Sequence, residues 1–142
     1  MRRVLGAVAL IGAVSLIAGA AKGTAEDAAT APAVKAAQAW LALVDAGKYG
    51  ESWDAAAALF RGSVARDAWS AQVGAARPPL GKVLSRTLKS AKPAASLPGA
   101  PDGHYVVIQF DTVFEHKAAA VETVTPMLEK GGAWRVSGYF IR

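Results

Sequence analysis

Residues Gly131–Arg142 read GGAWRVSGYFIR, two glycines followed by an alternation of Trp134, Val136 and Phe140 with Arg135, Ser137 and Tyr139. That period of two is the pattern of a strand with one buried face, and the glycines supply the turn leading into it. The expectation is a closing strand paired in a sheet, with Trp134, Val136 and Phe140 toward the core and Arg135, Ser137, Tyr139 and Ile141 away from it.

Working back toward the N-terminus, Tyr105 to His116 carries the clearest alternation, with Val106, Ile108, Phe110 and Phe114 on one face and Tyr105, Gln109, Asp111 and Glu115 on the other. Lys117 and the alanines around Ala119 form a turn, and Val121 to Glu129 forms a further strand. Before these, Val83 to Ala91 reads as a first strand placing Leu84, Arg86 and Leu88 on one side. Lys92 to Gly103 holds Pro93, Pro98 and Pro101 and reads as a long mobile loop.

Everything before Lys82 is helical in pattern. Val34, Ala37, Trp40, Leu41 and Val44 form one stripe, started by Pro32 and ended by Gly47. Tyr49 to Phe60 forms a second helix presenting Trp53, Ala56, Ala57 and Phe60, packed on the first as a hairpin. Ser63 caps a third, with Asp67 in its first turn and Trp69 and Val73 on its buried side, until Pro78, Pro79 and Gly81 stop it. The expected fold class is α+β, three N-terminal helices packed on a curved four-stranded antiparallel sheet.

The first 25 residues differ from the rest. Arg2 and Arg3 precede an uncharged apolar run from Val4 to Ala21, then small residues, the layout of a secretory signal peptide cleaved after Ala20 or, preferably, Ala25. A retained membrane anchor is the alternative, weakened by the many Ala and Gly in the run. Residues 26–33 read as a flexible linker and 34–142 as a single domain. The protein is expected to be exported to the periplasm or beyond, free of the membrane in its mature form, and its absence of cysteine suits an oxidising compartment.

Removing Arg2, Arg3 and Lys22 leaves 13 of the 16 basic residues against 11 acidic ones, a net charge of +2. Nucleic-acid binding is therefore not expected, since it wants a clustered basic stripe. No cofactor or metal is expected either. Two histidines without cysteine make a poor zinc site, and His104 and His116 lie roughly 40 Å apart along an extended strand. No phosphate loop or nucleophile elbow occurs.

The phrases WLALVDAGKYGESW, AARPPLGKVLSR, YVVIQFDTVF, ETVT and GAWRVSGYFIR, in that order from about Ala36 to Arg142, resemble the bacterial family known as domain of unknown function 4019. The order of elements is also similar to the nuclear-transport-factor-like cone, a curled sheet wrapped around helices. That second resemblance implies a fold and a cavity but no activity, because one cone hosts many functions.

On such a cone, Trp40, Trp53, Trp69, Phe110 and Trp134 are the candidate lining of a small apolar pocket, with indole N–H groups available to a ligand; filling the core is the favoured reading of the tryptophans. Tyr105, Val107, Gln109, Asp111, Arg135, Tyr139 and Ile141 are the candidate contact surface, for a homodimer or an envelope protein. Arg77 and Arg86 are placed to bind an anion or cap a helix, or to pair with Asp67 or Asp54. The favoured function is a non-enzymatic binding or protein-interaction module. The alternative is an isomerase or dehydratase, which would need Asp111, Glu122 or a histidine inside the pocket.

Overall fold

A computed structural model describes residues 25–142, so the expected signal peptide lies almost wholly outside the described residues. Four α-helices precede four strands: α1 Ala25–Asp45, α2 Tyr49–Asp54, α3 Ala58–Ser63 and α4 Arg66–Ala76, a 3₁₀ turn Pro78–Leu80, then β1 Val83–Ala94, β2 Tyr105–Phe114, β3 Lys117–Leu128 and β4 Trp134–Ile141. The strands form an open antiparallel meander in the order β1-β2-β3-β4. Its inner face packs on the helices, which is the expected α+β layout. The arrangement is compatible with the cone, though the sheet does not close. Among the described residues no helix is long and apolar enough to cross a membrane.

Helix α1 lies along the inner face because Ala33, Ala37, Trp40, Leu41 and Val44 share one stripe and are all buried. It ends where Gly47 adopts φ 73°, with Gly47 N–H donating to Val44 O and Lys48 N–H to Leu43 O, the paired bonds of a Schellman cap. The expected linker is corrected here: residues 26–33 belong to α1, and Thr30 and Ala33 are buried against the fold. Pro32 consequently sits inside the helix rather than at its start.

The expected second helix is two. Ala57 takes an extended conformation (φ −61°, ψ 152°) and its N–H donates to Val136 O of β4 at 2.8 Å. A backbone amide spent on the sheet cannot continue a helix, so the chain breaks between α2 and α3, and Ala56 and Ala57 bury completely against the strand. Only small side chains permit that approach. The expected cap Ser63 closes α3 instead, donating to Leu59 O, while α4 starts after Ala65 without a side-chain cap.

The strands depart from simple alternation at β-bulges. β1 has two irregularities, at Leu84 and at Lys89, and runs on through Pro93, so three residues expected in the loop are strand. Pro93 is tolerated because β1 is an edge. The turn between β2 and β3 is Glu115–His116, which puts Lys117 and its following alanines in β3 rather than in a turn. The decisive irregularity is in β4. Thr125 pairs with Gly138 but Pro126 pairs with Val136, so Ser137 is the extra residue. An extra residue reverses the facing of everything beyond it. Trp134 and Val136 point inward as expected, and past the bulge the expectation inverts. Tyr139 and Ile141 pair opposite inward-facing Val124 and Glu122, while Phe140 faces out, 53% exposed.

Candidate functional site

The inner face of the sheet holds the chain's densest polar cluster. Glu122 of β3 is completely buried. Its Oε1 accepts from Arg86 Nε at 2.7 Å and from Thr112 Oγ1 at 2.6 Å, and its Oε2 accepts a very short bond from the Tyr139 hydroxyl. The register explains the convergence, since Arg86 pairs with Thr112, one strand from Glu122, and the β4 bulge delivers Tyr139. Arg86 then forks onto Asp45 at the end of α1, at 2.8 and 3.0 Å, and Arg77 Nη2 reaches the same carboxylate at 2.9 Å. Arg77 is buried, with its guanidinium 4.6 Å from the centre of the Phe114 ring.

Burial and the Glu122 charge both push the Tyr139 phenol well above its ordinary range, as its hydrogen bond to Glu122 also does. Burial opposes the Arg86 charge, but its bonds to Asp45 and Glu122 outweigh that and hold the guanidinium more firmly protonated. The cluster is thus a tyrosine kept neutral and an arginine kept charged around one sealed carboxylate. Arg77 and Arg86 pair neither with Asp67 nor with Asp54; Asp54 is taken by Arg66 at the surface.

The aromatic candidates divide. Trp40, Trp69 and Phe110 are core residues, and Trp53 and Trp134 pack against that core half-buried. Trp40 meets Tyr139 at 5.2 Å and Phe60 at 6.4 Å, while Phe60 meets Trp69 at 4.9 Å, all edge to face. Three indole N–H groups are spent within the protein: Trp40 on Ser52 O (2.8 Å), Trp69 on Ser52 Oγ (2.9 Å) and Trp53 on Val64 O (2.7 Å). Trp40, Trp69 and Phe110 thus fill a core, with Trp53 and Trp134 against it. Phe60, carried in by the α2–α3 break, and Tyr139, turned in by the bulge, pack beside Trp40 there. What Trp40 and Trp134 still line is a shallow groove of about 270 Å³ between α1 and β4.

The contact-surface candidates also divide. Val107, Gln109, Asp111 and Arg135 lie on the outer face, with Asp111 exposed and 3.9 Å from Lys89. Tyr105 is buried under the loop that follows β1, its hydroxyl donating to Pro101 O at 2.6 Å. Tyr139 and Ile141 are on the other face for the reason given above. Sequence reasoning missed Phe140, Val121 and Thr123 there, the last buried by its neighbours and its hydroxyl without a partner. Both histidines are exposed, and among the described residues no three His, Asp or Glu side chains are grouped to hold a metal.

A concavity of about 650 Å³ lies where α1 ends, between Asp45, Gly47, Tyr49, Arg77, Lys82 and Glu115. A family model described as a protein of unknown function (DUF4019) matches residues 36–139. No curated protein and no solved structure matches the chain.

Proposed function

Because the chain belongs to that family, whose description names no activity, its role is read from its own side chains, and we propose a non-enzymatic interaction module, exported by its N-terminal segment, that engages a protein through the outer face of the sheet. The observation that carries the reading is the contrast at Phe140, a large apolar side chain 53% exposed near the end of β4, opposite Thr123 and on the face that also carries Val107 and Val121. Soluble proteins seldom leave an aromatic there without a use for it. A second copy of the chain is one partner this face suits, and an envelope protein is another.

The enzyme alternative has less support. A general acid or base must come within hydrogen-bond reach of a substrate proton. Glu122 is sealed from solvent with its oxygens committed to Arg86, Thr112 and Tyr139, and Asp111 stands on the outer face. For a small apolar ligand there are shallow grooves, one at Trp40 and Trp134 and another beside Tyr105, Leu128 and Trp134.

Native mass spectrometry of the protein purified from its own envelope tests the proposal. The expected species is a dimer or a complex with another protein, and its N-terminus should be Ala21 or Glu26. A strict monomer carrying nothing, under conditions that preserve other complexes, would refute the interaction role. Retention of the intact N-terminus in a cytoplasmic fraction would refute export.

A further inference from the structure

Independently of that reading, we infer that the groove where α1 ends is a binding site for a small monocarboxylate. The argument is an inventory of hydrogen-bonding groups. Arg77 lines the groove, 5% exposed, and its Nε and Nη1 are buried with no acceptor, only Nη2 being spent on Asp45. A buried guanidinium with two unspent nitrogens is costly, and native proteins retain such groups where something fills the vacancy. Among the described residues, Lys82 on the rim is exposed and in no ion pair, and the Tyr49 hydroxyl has no hydrogen-bond partner.

Three of the four carboxylate oxygens of Asp45 and Glu115 are already used, Glu115 Oε2 being left over among the described residues. Both Asp45 oxygens are occupied by Arg77 and Arg86, and Glu115 Oε1 accepts from Lys82 N–H at 2.7 Å. The carbonyls of Leu43 and Val44, which would repel an anion at a helix C-terminus, are capped by Lys48 and Gly47. Unspent donors therefore outnumber unspent acceptors. The planar fork of Arg77 matches a carboxylate, whose single charge the neighbouring Asp45 and Glu115 carboxylates oppose less than they would a dianion. Val44, Pro78 and Val83 give the groove apolar wall for a short hydrocarbon body, and its volume of about 650 Å³ lies within the usual range for small-molecule sites. Lys82 is the outer contact, and Nε and Nη1 of Arg77 are the recessed ones.

Titration of the isotope-labelled protein with butyrate, followed by amide chemical shifts, tests the site, with butylammonium and inorganic phosphate as the other arms. The expected result is saturable movement of the Gly47, Gly81 and Lys82 amides with butyrate and none with butylammonium. Lys82→Ala, a surface change, should weaken half-saturation about tenfold, the worth of one charge-assisted hydrogen bond. Arg77→Lys should weaken it further; if that variant does not fold, Lys82→Ala and Tyr49→Phe decide the matter. The proposal is overturned by non-saturable shifts, by equal response to butylammonium, by unchanged affinity in Lys82→Ala, or by tighter binding of phosphate.

Discussion

The two faces of one sheet have been treated differently by the same four strands. Inward, polar groups pair densely, Arg77 Nε and Nη1 being the exception: Glu122 takes three donors, Asp45 takes two guanidiniums, and Ser52 serves two indoles while donating to Tyr49 O. Outward, Phe140 lies half exposed, the Thr123 hydroxyl is unpaired, and charges meet at the surface, Lys89 with Asp111 and Arg135 with Glu129. The densely paired face resembles a core whose polar members specify one arrangement; the sparsely paired one resembles a surface awaiting contact. Burying a carboxylate is costly unless its partners are in place, so the inner face can hold Glu122 only with all of its donors present.

That contrast can be broken most severely at Glu122. Glu122→Ala strands the Arg86 guanidinium beside an empty site and should destabilise the fold by about 3–5 kcal/mol in chemical denaturation. A loss below about 1 kcal/mol would show that the cluster is solvated after all. Next in size, Trp69→Ala should cost about 3–4 kcal/mol through the cavity left against Phe60 and Trp40 and the loss of the Ser52 bond.

Tyr139→Phe removes one donor to a buried carboxylate and should cost about 1–3 kcal/mol. It also tests the pH dependence. The folded phenol titrates above its unfolded value of 10.0, so its contribution is complete below that value and is lost as the pH climbs beyond it. Denaturation midpoints of the unaltered protein should therefore fall on the alkaline side of about 10 more steeply than those of Tyr139→Phe. Parallel curves would remove Tyr139 from the account.

The smallest effect on folding is expected at Phe140. Phe140→Ser should change stability by less than about 0.5 kcal/mol, since the side chain is half exposed, while weakening association measured by sedimentation. A large loss of stability without change in association would make this aromatic part of the core and cancel the difference between the faces.

Much of the frame was legible in the residues. The order of helices and strands follows from two periodicities and from the punctuation at Gly47, Pro78, Pro79 and Gly131. The inward set Val106, Ile108, Phe110 and Phe114 is as the alternation predicts, since that run of β2 keeps its alternation on both sides of the sheet. The linker was misjudged because Ala-rich polar sequence is common to linkers and helices alike, and burial of Thr30 and Ala33 settles it for a helix. The break at Ala57 left no local mark, because the competing hydrogen bond comes from Val136, distant in sequence.

The sequence by itself determined the class of the fold, the order of its helical and strand halves and the absence of disulfide bonds, because those depend on local periodicity and composition. Which side chains face which way past Ser137 was decided only by tertiary structure. One extra residue in β4 costs the pattern nothing visible, yet it turns Tyr139 in to Glu122 and Phe140 out to solvent. The physical reason is that a strand's facing is set by its register with a neighbour, and register is a property of two strands.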